Sequence, residues 1–162
     1  MKQKETRSVP AADREERLRS KHQQSLNEMM LVLFDLNTER KRLKTVLNCM
    51  TSGVMVTNEH LEIVLHNPAF IKLMDIREEI QMPVPVHRII QDACLIDALR
   101  KIQSGAFDMD ASISQEIRTQ SRVLRTVSAP ALGPDRNVFW TVTGAVTLFE
   151  DITAFKQLNQ MK

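Results

Sequence analysis

The chain has no tyrosine, one tryptophan and six phenylalanines in 162 residues, so aromatics make up only 4%. Aliphatic and methionine side chains are left to line any interior. There are two cysteines, Cys49 and Cys94, far apart and without a Cys-x-x-Cys spacing. That excludes a disulfide framework and a cysteine zinc site, and it fits a reducing cytosol. Four glycines, none clustered, exclude a glycine loop that cradles phosphate. No signal peptide is visible, and the longest apolar run, Met29 to Phe34, is far short of the ~20 residues a membrane span needs. Charge of one sign is also scarce. The net charge of +2 gives no strong pull toward nucleic acid or anionic lipid.

What is present is uneven. Residues 1–50 carry 11 Lys and Arg against 7 Asp and Glu, whereas residues 51–162 carry 11 against 13. The basic part reads as a helix and the acidic part as a globule, so a solvated helix face explains the split. The apolar fraction of 43% suffices for one core in one domain with an appendage.

Residues 1–12 are polar and read as a flexible N-terminus. From 13 to 50 there is neither Gly nor Pro, which predicts a long helix with Asp13 as N-cap. Its apolar positions advance by alternating threes and fours. Leu26, Leu33, Arg40 and Leu47 fall at heptad position a, and Met29, Leu36, Leu43 and Met50 at d. The seam predicts a parallel homodimeric coiled coil, with Arg40 costing stability but fixing register.

Residues 51–153 read as one domain. Gly53–Thr57 and Leu61–Leu65 are a hairpin around Asn58-Glu59-His60. Asn67 and Pro68 cap and open a short helix bearing Phe70, Ile71 and Met74. Pro83 and Pro85 break regular structure before a short turn at Val86–Ile90. A helix over Gln91–Gln103 places Ala93, Ile96, Leu99 and Ile102 on one face.

Three strands follow. In the first, Phe107, Met109, Ala111 and Ile113 alternate with Asp108, Asp110, Ser112 and Ser114. The second runs from about Arg122 to Leu132. After a turn at Gly133–Asn137, the third sets Val138, Trp140, Val142, Val146 and Leu148 against Phe139, Thr141, Thr143 and Thr147. It ends in Phe149-Glu150-Asp151-Ile152-Thr153, where the period changes. Ile152, Phe155, Leu158 and Met161 follow helical spacing, so residues 154–162 begin a second helix. The expected class is α+β, a five-stranded antiparallel sheet with helices on one face behind a long coiled-coil helix.

Three local motifs in this order resemble the PAS sensory domain. Asn67-Pro68-Ala69-Phe70 is similar to the Asn-Pro-Ala signature opening the first internal PAS helix. Thr51-Ser52-Gly53-Val54-Met55-Val56-Thr57-Asn58 resembles the first strand, with Asn58 where the family more often has Asp. Asp151-Ile152-Thr153 matches the motif closing the last strand. The resemblance covers about Leu43 to Lys162. It implies that Asp151 and Thr153 join the sheet to the outgoing helix and relay a signal. The ending Ala154–Lys162 resembles the linker to a histidine-kinase dimerisation helix. That implies a parent kinase of a two-component system continuing beyond Lys162, with this chain in the cytoplasm, alone or as part of a membrane-anchored sensor.

The family cavity lies between sheet and helices. Candidate lining residues are Val56, Ile63, Phe70, Ile90, Ile96 and Val127; without a charged anchor among them, a filled hydrophobic core explains them better than a ligand pocket. No cofactor is expected. A haem-binding relative uses a histidine on the internal helix, yet Gln91–Gln103 has none and His87 is the only nearby candidate. Cys94 lacks the flavin-photoreceptor context and reads as a small buried hydrophobe. His22, His60 and His66 stand outside any phospho-accepting context, and no residues have metal spacing. With no nucleophile–base pair, the chain is expected to be non-enzymatic. Its expected partners are a second copy and a C-terminal kinase or other effector, with no nucleic acid and no direct membrane insertion. An unknown small ligand is the alternative input.

Overall fold

The structure is a computed structural model and describes residues 10–105, 108, 110–133 and 141–161. The expected turn at 134–137, the strand residues Phe107, Met109 and 138–140, and residues 1–9 of the N-terminal segment lie outside the described residues. Two compact units result, Met1–Thr45 and Val46–Lys162.

Helix α1 spans Ala11–Cys49 and buries none of its residues. It starts two residues before Asp13. The Pro10 carbonyl accepts from Asp13 N at 3.0 Å and Arg14 N at 3.2 Å. Asp13 therefore sits in the first turn, where its charge suits the helix dipole, and is not the N-cap.

Among the described residues the second unit holds six strands in the order β3-β2-β1-β6-β5-β4, with every paired neighbour antiparallel. They are β1 (Gly53–Asn58), β2 (Glu62–His66), β3 (Val84–Pro85), β4 (Ile113–Arg118), β5 (Val123–Gly133) and β6 (Thr141–Asp151). Five strands were expected. The sixth, β3, is two residues long and pairs with Glu62 and Ile63 at the sheet edge, a place that tolerates Pro85. The strand expected from Phe107 begins only at Ile113. Before it the chain turns, with Ala111 N donating to Asp108 O at 3.0 Å.

Between the strands run α2 (Pro68–Leu73), α3 (Val86–Ile89) and α4 (Ala93–Gln103), and α5 (Thr153–Gln160) follows β6. Asn67 caps α2 through Phe70 N, as the Asn-Pro pair predicts, and Asp92 caps α4 through Leu95 N. The buried face of α4 is Leu95, Ala98, Leu99 and Ile102. Ala93 is exposed and Ile96 only half-buried, so the face is rotated from the one expected. Cys94 is exposed, a second correction with the same cause. Alternating threes and fours allow two neighbouring stripes, and only packing against the sheet chooses between them.

The core gathers Met55, Ile63, Phe70, Ile90, Leu95, Leu99, Ile102, Leu124 and Phe149, each at most 1% exposed. Phe70 and Phe149 meet at 5.2 Å between ring centres. Strand β6 inverts the simplest reading of its alternation. Ala145, Thr147 and Phe149 point inward, whereas Leu148 is 41% exposed on the other face. Thr147 can be buried because its hydroxyl bonds Ser128 at 2.9 Å. Gly144 is required where β1 and β6 cross, since a Cβ there would meet the Thr57 carbonyl oxygen.

Candidate functional site

Two polar clusters connect the sheet to helices. The first centres on Asn67, 1% exposed. Its Oδ1 accepts from Val54 N at 2.8 Å and Phe70 N at 3.0 Å. Its Nδ2 donates to Ser52 O at 2.9 Å and Leu47 O at 3.0 Å. One side chain thus closes the start of α2, holds β1 and satisfies a carbonyl in the last turn of α1, all of which the chain would otherwise leave unpaired.

The second cluster stands where β6 becomes α5. Asp151 Oδ1 accepts from the Thr153 backbone N at 2.9 Å and from the Thr153 hydroxyl at 2.6 Å. The Thr153 hydroxyl oxygen accepts in turn from Val123 N at 2.9 Å, so it ends the β5 ladder. Ile152 holds the N-cap position without a side-chain cap bond, and Thr153 is the first helical residue.

Arg122 completes this cluster. Its Nε lies 3.4 Å from Asp151 Oδ2, and its Nη1 lies 2.7 Å from Asp75 Oδ1. Nη1 also donates to Lys72 O at 3.1 Å, at the end of α2. Ser121 donates to Asp75 Oδ2 at 2.7 Å. One guanidinium therefore joins the end of α2 to the beginning of α5 across the sheet edge, a use suited to its planar fork of donors. Ile152 N donates to Val123 O, and the Lys156 ammonium meets Glu116 at 2.9 Å, so α5 is held at several points of its first turn.

The electrostatics agree. The Ser121 hydroxyl and then Arg122 hold the Asp75 carboxyl below its ordinary 3.8. The Thr153 hydroxyl, with its backbone N–H and Arg122, does the same for Asp151 against the opposing effect of burial. Arg122 and Asp75 are absent from the residues singled out by sequence. Arg122 reads there only as the start of a strand, and nothing at a separation of 47 residues marks Asp75 as its partner.

Of the candidate pocket residues, Ile63, Phe70 and Ile90 come together in the packed core, with Ile96 against it. Val56 and Val127 are half-buried on the opposite face of the sheet, because they alternate with the inward Met55, Thr57, Thr126 and Ser128. Three surface clefts border the Arg122 cluster. One of about 620 Å³ includes Asp75 and Ile90, one of about 590 Å³ includes Asp75 and Ser121, and one of about 550 Å³ includes Arg122 and Asp151. The seam residues Leu26, Met29, Leu33, Leu36 and Leu43 are 42–62% exposed; Arg40 is exposed as well, and Leu47 and Met50 are half-buried. His87 is exposed on α3. Among the described residues no three His, Cys, Asp or Glu side chains gather as a metal site, and no helix is long and apolar enough to cross a membrane.

Comparison with known proteins points one way. The family model described as a PAS domain matches residues 41–109. No curated protein sequence matches the chain. Among solved structures, the sensor region of a sensor histidine kinase aligns with a TM-score of 0.51 at 14% identity, covering 64% of this chain and 40% of that one. The chain thus spans less than half of that relative. A PAS domain from Colwellia psychrerythraea aligns at 0.53 and 14% identity, covering 70% and 97%. The PAS domain of BvgS from Bordetella pertussis aligns at 0.51 and 12%, covering 76% and 96%. With the Asn67 cap, the antiparallel sheet and the Asp151–Thr153 closure already in place, residues 41–109 match the PAS family model and the second unit has the PAS fold.

Proposed function

We propose that this chain is a regulatory module that relays a conformational change through its PAS domain to an effector following α5, most readily a histidine kinase of a two-component system. The observation that carries the reading is the Arg122 cluster, which ties the end of α2 and the β4–β5 turn to the first residues of α5. A shift of α2 or of that turn alters the hold on Asp151, and so the angle at which α5 leaves the sheet. Relay requires two packings of nearly equal free energy that an input biases. An exposed ion pair suits this, because its net worth is small. In this reading the chain performs no catalysis, needs no resident cofactor, acts in the cytoplasm and pairs with a second copy through the α1 seam.

The test is autophosphorylation of the parent protein with Arg122→Gln or Asp151→Asn, alongside hydrogen exchange of α5. Both variants should change kinase output and speed exchange over Thr153–Gln160 while the core amides stay protected. Unchanged output with a loosened α5 would sink the relay. Light scattering of the chain, with and without residues 1–42, tests the pairing.

A second reading, a sensor of a small uncharged molecule, is favoured by one observation. The inner sheet face buries Thr57, Thr126, Ser128 and Thr147, and Gln115 Oε1 is buried there without a partner among the described residues. Such a patch offers hydrogen bonds to a ligand or to water.

A further inference from the structure

The two polar clusters share one element. Helix α2 has six residues and is about 9 Å long. At its start, Asn67 Oδ1 accepts from Phe70 N, while Nδ2 of the same side chain donates to the Leu47 carbonyl in the last turn of α1. At its end, Arg122 Nη1 donates to the Lys72 carbonyl at 3.1 Å, and Nε of the same guanidinium stands beside Asp151. The helix that enters the second unit and the helix that leaves it are therefore fastened to opposite ends of α2. Their strands also lie together, since Gly53 of β1 pairs with Phe149 of β6. A Cβ on Gly53 would lie 3.0 Å from the Phe70 Cα and 3.2 Å from the Phe149 Cβ, so α2 bears directly on that strand pair. Met50, Thr51, Pro68, Arg122 and Asp151 line one cleft of about 550 Å³, so the space beside α2 is open on this side. Phe70 and Leu73 hold its other side in the core.

We propose that α2 is the strut that couples α1 to α5, and that the input to the Arg122 cluster is the position of the last turn of α1. The inference rests on the relay reading above and adds the source of its signal. A displacement of α1 pulls on Asn67 and tilts α2 on its buried side. The Lys72 carbonyl moves, the guanidinium that holds it moves with it, and Asp151 loses part of its partner. No ligand inside the domain is needed. Coupling between two sites is reciprocal, so loss of the Arg122 grip also loosens the last turn of α1. The competing route is the β1–β6 pair, which needs neither side chain.

Hydrogen exchange of the full chain in a double-mutant cycle separates the two routes. The Lys156 amide, bonded to the Ile152 carbonyl, reports α5, and the Met50 amide, bonded to the Val46 carbonyl, reports the end of α1. Asn67→Asp keeps the α2 cap but loses the donors to Leu47 and Ser52. It should speed exchange at Lys156 by about threefold or more, and this acceleration should vanish in an Arg122→Gln background. Arg122→Gln should in turn speed exchange at Met50, an effect that Asn67→Asp abolishes. If Asn67→Asp speeds the amides of α4 equally, the whole domain has been weakened, and Gly53→Ala takes its place in the cycle. That variant wedges α2 away from β1 without touching either polar cluster. An unchanged Lys156 amide overturns the strut. So does an acceleration that persists undiminished without Arg122, which assigns the coupling to β1 and β6. Either result leaves the relay reading itself to be judged by kinase output.

Discussion

The helix α1 and the PAS-fold unit are opposites in how they use apolar residues. The domain buries Phe70, Phe149 and Met55 completely, while α1 holds Leu33, Leu36 and Phe34 at 62–69% exposure. One is stabilised by contacts it makes with itself. The other exposes its apolar face, although helical stability in proteins comes mostly from packing such a face. The contrast separates a core packed on itself from a helix that, under the proposed pairing, depends on concentration.

The largest effect should come from cutting into the self-sufficient half. Phe70→Ala removes a ring packed on Phe149 and should cost ~3–5 kcal/mol, read as a lower urea midpoint that does not vary with protein concentration. A midpoint that does vary would break the comparison. Next, Asn67→Ala strands two N–H donors and two carbonyl acceptors and should cost ~3 kcal/mol. Asn67→Asp keeps the acceptor for Val54 and Phe70 but loses both donors. Its exchange rates should rise first in the last turn of α1, where the Leu47 carbonyl loses its partner. If both variants behave alike, the staple to α1 contributes nothing beyond the α2 cap.

In the other half, Leu33→Gln should leave the urea midpoint of the domain unchanged but abolish any concentration dependence of helix melting. The smallest effect belongs to the carboxylates on Arg122. Both Asp75 and Asp151 titrate below 3.8 in the folded chain, so the stability they contribute is present above that pH and is lost as pH falls through their lower folded values. Both are solvent-accessible, so the loss is modest. Asp75→Asn with Asp151→Asn should flatten the acid limb of an unfolding curve recorded below pH 4. An unchanged limb would mean that the Arg122 cluster is not a stabilising link.

The motifs that sequence exposes are those whose chemistry is local. Asn67-Pro68 announces a cap because the cap and its helix are adjacent, and Asp151 reaches Thr153 for the same reason. Arg122 escaped because its two carboxylates lie in the turn after α2 and at the end of β6, brought to it only by the fold. Alternation in β6 is legible, but not its sense. Both faces carry apolar residues, and a buried Thr147 satisfied by Ser128 is indistinguishable in sequence from a solvated one. Ala93 and Cys94 were misplaced for a related reason, since a helix with apolar residues at several phases does not say which one meets a sheet.

The sequence by itself determined the two-part organisation, the long helix with its heptads, the sheet-forming period, the cap at Asn67 and the Asp151–Thr153 pair. All of these depend on contacts within a few residues or on a repeat along one element. Only the tertiary structure decided which face of β6 and α4 is inside, added β3 as a sixth strand, and set Arg122 between Asp75 and Asp151. Those outcomes depend on which surfaces meet after the chain has closed on itself, and no local pattern records that choice.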